Sequence, residues 1–316
     1  KGHTLCLDCC ARLAECIACG DLYDPASDDC WGDMCSDCAE EHFICDSCGD
    51  TCHTDDYAQD GLCTECYNRS YRVVKAYHSG PSCDYTFHPN CNEALYFGVE
   101  LETDKYDDRK QAAEDLYALS QNETLFWLSE DGSLDDGIEI ISHPCTLAYH
   151  RDLFPWNKIA TIVTNNGGRS HDTNTCGLHI HFSKSFFSHN RQALYQIRLI
   201  YLFEKFWPEL FRFSRRTGDR WQEYCKQYNR EMFDQSSGSK IRELRDNFGR
   251  YQAVNITNRS TVEIRIFQGT LKVNTLLASM ELVDFLARLV KRLNTKELQV
   301  LTWPELVSQI KAKKYL

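Results

Sequence analysis

The sequence predicts an α+β protein: small four-cysteine zinc ribbons, then a larger domain whose antiparallel or mixed sheet carries helices on one side. Three observations carry this. Thirteen of the 18 cysteines fall before residue 67, and only Cys145, Cys176 and Cys225 lie beyond residue 91. From residue 94 onward, short strand patterns alternate with helical ones. Within the strands polar and apolar residues alternate, which fits a sheet with one dressed face better than a buried parallel sheet. The division expected is 1–66 for the ribbons, 67–93 for a connector and 94–316 for the main domain.

The ribbons come from an internal repeat. Cys16-Ile-Ala-Cys19-Gly-Asp recurs 29 residues later as Cys45-Asp-Ser-Cys48-Gly-Asp, and the closing pairs Cys35/Cys38 and Cys63/Cys66 are 28 apart. The simplest assignment is Cys16/Cys19/Cys35/Cys38 and Cys45/Cys48/Cys63/Cys66, each suited to tetrahedral structural zinc with no open position. Cys10, Cys30, Cys52, His42 and His53 are alternative ligands. Cys6 and Cys9 form a third closing half, a further candidate zinc pair. Closely spaced thiolates imply a reducing compartment, and with no signal-like start or long apolar run the expected location is the cytoplasm. Residues 1–66 hold sixteen Asp or Glu against Lys1 and Arg12. That surface repels phosphate backbones, so neither nucleic acid nor membrane is an expected partner. In the connector, Cys83, Cys91, His78 and His88 are a weaker metal candidate.

The strands expected are Phe97–Glu102, Thr124–Leu128, Ile138–Ser142, Gly177–Phe182, Gln252–Thr257 and Thr261–Phe267. The helices expected are Arg109–Ser120, Leu147–Thr164, Asn190–Phe213 and Leu276–Leu293, with a capped amphipathic stretch at Trp303–Lys311. Side chains of a strand alternate between faces. Glu100 and Glu102 therefore share a face, as do His179 and His181, and Glu263 and Arg265; Glu139 is lifted between two isoleucines. A solvated face usually carries Lys, Thr, Ser and Gln, whereas these positions carry only Glu, His and Arg. Four carboxylates with at most two imidazoles favour Mg²⁺ or Mn²⁺ over zinc. No GxxxxGK[ST] or GxGxxG loop is present, so arginines and cations would hold phosphates; Arg215, Arg216, Arg259 and Arg265 are the candidates.

The order of motifs is itself informative. Tyr96-Phe-Gly-Val-Glu-Leu-Glu102, Asp131-Gly-Ser-Leu, Gly137-Ile-Glu-Ile-Ile-Ser-His-Pro144 and Ser170-His-Asp-Thr-Asn-Thr-Cys-Gly-Leu-His-Ile-His181 are followed by Phe213-Ser-Arg-Arg216, Ala253-Val-Asn255 and Thr261-Val-Glu-Ile-Arg-Ile-Phe-Gln-Gly-Thr270. This order resembles the amidoligase family of phage and bacterial genomes, within the glutamine synthetase-like carboxylate–amine ligases. The resemblance covers about residues 94–290 and leaves the cysteine-rich front outside. It implies a glutamine synthetase-like sheet, ATP and Mg²⁺ (or Mn²⁺). Amide formation would run through an acyl phosphate between a carboxylate and an amine; the acidic ribbons, able to dock a basic partner, favour a peptide or protein as the substrate. By the same resemblance Glu100, Glu102, Glu139, His179 and Glu263 are metal ligands, His181 and Arg265 contact the nucleotide phosphates, and Asp131 contacts the incoming amine. For a phage-encoded chain the location would be the host cytoplasm. The alternatives are a guanidino-kinase-like phosphotransferase on the same fold, a thiol enzyme using Cys145 or Cys176, and a non-catalytic zinc-ribbon adaptor. Oligomeric state is left open.

Overall fold

The structure, a computed structural model, describes residues 12–26, 33–46, 48–59, 61–70, 73–77, 79–89, 95–217, 221–228 and 249–313. They fall in two compact units, Lys1–Arg72 and Val73–Leu316.

The smaller unit repeats one design. Strands β1 (Ala14–Glu15) and β2 (Leu22–Tyr23) pair around the turn that holds Cys16 and Cys19, and Cys35 caps helix α1 (Ser36–Glu41). Strands β3 (His42–Ile44) and β4 (Thr51–His53) pair around Cys45 and Cys48. The hairpin β5 (Tyr57–Gln59) and β6 (Leu62–Cys63) then leads into helix α2 (Thr64–Ser70), which carries Cys66. Gly20 and Gly49 both have φ near +75°. There each donates its N–H to the carbonyl of Cys16 or Cys45, which closes the turn. That backbone conformation suits glycine, which explains the repeated Cys-x-x-Cys-Gly. Among the described residues the buried apolar clusters are small: Cys16, Tyr23, Met34 and Cys38 in one half, Cys45, Cys63 and Cys66 in the other. Clusters of that size gain stability from a crosslink or a metal.

The larger unit is built on a seven-stranded sheet. Its strands are β7 (Val74–Lys75), β8 (Phe97–Thr103), β9 (Phe126–Ser129), β10 (Ile138–Ser142), β11 (Gly177–Ser183), β12 (Val254–Asn255) and β13 (Thr261–Gln268), in the order β12-β13-β11-β8-β10-β9-β7. Every pairing is antiparallel except β7 with β9, so the sheet is mixed. The apolar face, with Val99, Leu101, Ile140, Ile180 and Ile264, joins one core cluster with the helices. These are α3 (Arg109–Leu119), α4 (Leu147–Asp152), α5 (Trp156–Asn165), α6 (Gln192–Lys205), α7 (Trp207–Ser214), α8 (Trp221–Tyr224), α9 (Val273–Arg292), α10 (Thr295–Val300) and α11 (Trp303–Ala312). Among the described residues no helix is long and apolar enough to cross a membrane.

Two helices expected as single rods are broken. The 147–164 stretch stops at Leu153 and restarts after Pro155; the 190–213 stretch stops at Phe206 and restarts with Pro208 in its first turn. Proline lacks the N–H that continues a helix but suits the start of a new one. Helix α10 was not expected, although Asn294 and Glu297 form a capping box at its start. Residues 79–89 are tied to the sheet rather than loose. The Thr86 N–H donates to His143 Nδ1 at 2.9 Å, His88 Nε2 lies 2.8 Å from the Thr124 carbonyl, and buried Lys75 pairs with Glu123 at 3.2 Å.

Candidate functional site

Register decides which polar side chains meet. On central strand β8, Glu102 lies opposite Glu139 of β10, and Glu100 opposite His179 of β11. His181 lies opposite Glu263 of β13, which in turn faces Asn255 of β12. A continuous row of carboxylates and imidazoles therefore crosses four strands and ends at Asn255 on a fifth. Glu102, Glu139, His179 and Glu263 are at most 6% exposed, which rules out a merely solvated face. Buried charge is costly unless paired or bound to a cation.

The groups converge closely. His179 Nδ1 is 3.1 Å from Glu100 Oε2, and its Nε2 is 3.7 Å from Glu102 Oε1. His181 Nε2 is 2.9 Å from Glu100 Oε1. Glu263 is held by Arg265 and accepts from Asn255 Nδ2 at 2.7 Å and Asn258 Nδ2 at 3.2 Å. Burial works against the Glu100 charge, but the imidazoles of His181 and His179 hold its carboxyl well below the usual range. Glu263 is held low against burial by His181 and Arg265. His181 rises to about 9, because Glu100 and Glu263 outweigh its burial. Glu139 goes the other way. Burial first, then the charges of Glu100, Glu102, Asp131 and Glu263, push its carboxyl well above the usual range.

Do these residues fit a cation? Three overlapping sets, Glu100/His181/Glu263, Glu100/Glu139/His179 and Glu102/Asp131/Glu139, each bring one donor atom per residue within 4.8 Å of the others. His181 Nε2 is buried, with Glu100 2.9 Å away. Carboxylates crowded at this distance beside imidazoles match the donor set of hard divalent cations.

A cavity of about 210 Å³ opens beside this row, with Glu102, Asp131 and His179 on one side. Asp131 Oδ1 accepts the Ser133 N–H at 2.7 Å in its turn. Arg216 and Arg265 line the cavity too. Arg216 is fixed by donating to the carbonyls of Arg265 and Ile266 at 3.2 and 3.3 Å. Arg215 and Arg259 are exposed and do not line it. Arg215 caps α7 in the left-handed conformation, φ 60°, which turns it away from its neighbour.

Sequence reasoning passed over five contributors. Gly177 donates its N–H to Glu102, and a Cβ there would lie 2.8 Å from Arg216 Nη2, 3.0 Å from His179 Nε2 and 3.3 Å from Glu102 Oε2. Only a residue without a side chain lets the three converge. Asp104 accepts from Thr175 Oγ1 at 2.8 Å and from the Asp135 and Asp136 N–H groups at 3.1 and 3.3 Å, tying together both loops that line the cavity. Tyr77, Arg250 and Tyr251 line the cavity as well.

The expected ribbon cysteines form two further candidate metal sets. The sulfurs of Cys16/Cys19/Cys35/Cys38 lie within 4.8 Å of one another, as do those of Cys45/Cys48/Cys63/Cys66. Backbone N–H groups of Cys63 and Cys66 point at sulfurs 3.4 Å away, as they do around metal thiolates. Cys6, Cys9, Cys10, Cys30, His78 and Cys91 lie outside the described residues. Cys145 and Cys176 are buried; burial pushes the Cys176 thiol up to about 12 and that of Cys145 further still, which leaves a thiol nucleophile without support.

Residues 96–286 match the model of a protein family described as "putative amidoligase enzyme". No curated protein matches the chain.

Proposed function

The chain belongs to the amidoligase family, and from that premise we propose that it is an ATP- and Mg²⁺- (or Mn²⁺-) dependent ligase joining a carboxylate to an amine. The observation that carries this reading is the buried row of carboxylates and imidazoles facing arginines across one cavity. On this reading the sheet is glutamine synthetase-like, and Glu100, Glu102, Glu139, His179 and Glu263 hold two cations. When bound, those cations would neutralise the nucleotide phosphates during transfer to the substrate carboxylate. His181 and Arg265 orient the phosphates, and Glu263 restrains Arg265 by their ion pair. Arg216, anchored on two carbonyls, presents fixed charge to the same anion. Asp131 has one oxygen committed to its turn, which leaves the other to accept a proton from the attacking amine. The acyl phosphate formed in the first step hydrolyses readily, so the burial of Glu102, Glu139, His179 and Glu263 also helps to exclude water there.

Zinc on the eight ribbon cysteines would crosslink the smaller unit and open no catalytic position. Its acidic surface suits a basic peptide or protein as one substrate. The test is mass spectrometry of adducts after incubation with ATP, Mg²⁺ and cell lysate, alongside assays of ADP and phosphate. Release of phosphate together with an amide-linked product supports the ligase. A phosphorylated product that accumulates without phosphate release would identify a phosphotransferase instead.

A further inference from the structure

We propose that Tyr77, Arg250 and Tyr251 form the nucleoside end of the cavity, with Tyr77 contributed from outside the family-matched residues. The inference rests on the ATP reading above and names where the base and outer phosphates lie.

Strands β7 and β12 are the opposite edges of the seven-stranded sheet. Laid flat, those edges would stand roughly 29 Å apart at the usual strand spacing. Yet Tyr77, two residues after β7, accepts a hydrogen bond at 2.8 Å from Arg250 Nη2, four residues before β12. Both line the cavity that Glu102, Asp131 and His179 also line, so this link brings the two sheet edges to one cavity on the polar face. Among the described residues the Arg250 guanidinium donates to two phenols, Tyr77 and Tyr251 at 2.8 and 3.0 Å, and no carboxylate pairs with it. A guanidinium held by neutral partners is suited to an anion.

The rings point to the rest of the ligand. Tyr251 has Arg250 5.0 Å and Arg265 5.9 Å from its ring centroid, with Tyr224 edge-on at 5.8 Å. Tyr77 and Tyr251 nevertheless remain 41% and 38% exposed. Exposed rings beside a fixed cation suit a planar aromatic group joined to a polyanion. A nucleotide meets both demands, and with its phosphates toward Arg265 and Arg216 its far end would reach the carboxylate row.

The experiment measures binding of Mg·ATP and of Mg·tripolyphosphate to the full chain, with thermal unfolding as the check on folding. Tyr77→Ala is expected to weaken ATP on the order of 10-fold, the usual worth of one base stack, while tripolyphosphate is unchanged. Tyr77→Phe keeps the ring and should hold ATP within about twofold of wild type if stacking dominates. Arg250→Gln should weaken both ligands. If wild type binds ATP and the alanine and glutamine variants bind it equally well, the nucleoside assignment fails while the ligase reading stands. Equal loss of both ligands in Tyr77→Ala would also overturn it. Wild type that binds no ATP with either Mg²⁺ or Mn²⁺ sinks the underlying reading instead.

Discussion

Replacing Glu139 with glutamine separates the cost of the carboxylate row from its use. One Glu139 oxygen lies within 4.8 Å of an oxygen of Glu102 and Asp131, and likewise of Glu100. Two unit charges at that distance repel by about 3.5 kcal/mol at an effective dielectric near 20. Three such neighbours approach about 10 kcal/mol, comparable to the whole stability of a domain. In the metal-free protein Glu139 therefore takes a proton, in line with its raised carboxyl. Above about pH 4.5 the folded state then binds more protons than the unfolded state, so stability falls as pH rises toward the folded pKa.

Glutamine cannot ionise, so the variant should escape this loss. Without metal, Glu139→Gln should unfold at nearly the wild-type temperature near pH 5 and several degrees higher near pH 8. The scale is about 2–4 °C per kcal/mol for a unit of this size. Magnesium should reverse the order. At a hundred times its Kd it would stabilise wild type by about 2.7 kcal/mol, and the variant, short of one ligand charge, by much less. Calorimetry in buffers of different ionisation enthalpy should register proton release on Mg²⁺ binding to wild type only. The reasoning is refuted if Mg²⁺ raises the melting temperature of both proteins equally, or of neither.

Three further outcomes follow from named contacts. Gly177→Ala places a methyl among Arg216, His179 and Glu102, and turnover should fall more than about 10-fold with a melting temperature close to wild type; unchanged turnover would show that the three need not converge. Asp104→Asn removes an acceptor shared by both cavity loops and should lower kcat/KM while circular dichroism stays native, since Asp104 acts by positioning. Elemental analysis should find at least two zinc ions per full chain and essentially none in residues 73–316, and chelation should melt the smaller unit alone; zinc at stoichiometric level in that fragment contradicts the assignment.

Much of the site was legible because strand periodicity is strict. Glu100 with Glu102, His179 with His181, and Glu263 with Arg265 had to share faces once those segments were strands. The cysteine repeat was equally direct, since a metal fixes ligand spacing more tightly than any apolar core does. The helix breaks were also written in the chain: Pro155 and Pro208 mark them, but continuous apolar periodicity on either side masked the stops. Strand order was not legible. Nothing local says that β8 lies between β10 and β11, and that order is what sets Glu102 against Glu139 and Glu100 against His179.

The arginines show where reading by residue type runs out. Arg215 and Arg216 are adjacent and chemically identical, yet one left-handed residue at the end of α7 sends the second to the carbonyls of β13 and leaves the first in solvent. Arg259 lies between two motifs and sits exposed between β12 and β13. Arg250 carried no motif at all, and its partner Tyr77 is 173 residues away in sequence. The faces of the acidic residues are thus set by periodicity within strands, which a sequence displays, while strand order brings them together. The cationic half is set by helix ends and by chain crossing from one sheet edge to the other, which only tertiary structure fixes. That asymmetry bears on how substrates are distinguished. On the proposed reading, carboxylates alternating along neighbouring strands would hold the cations, whereas the arginines that would meet the anion are positioned by contacts distant in sequence.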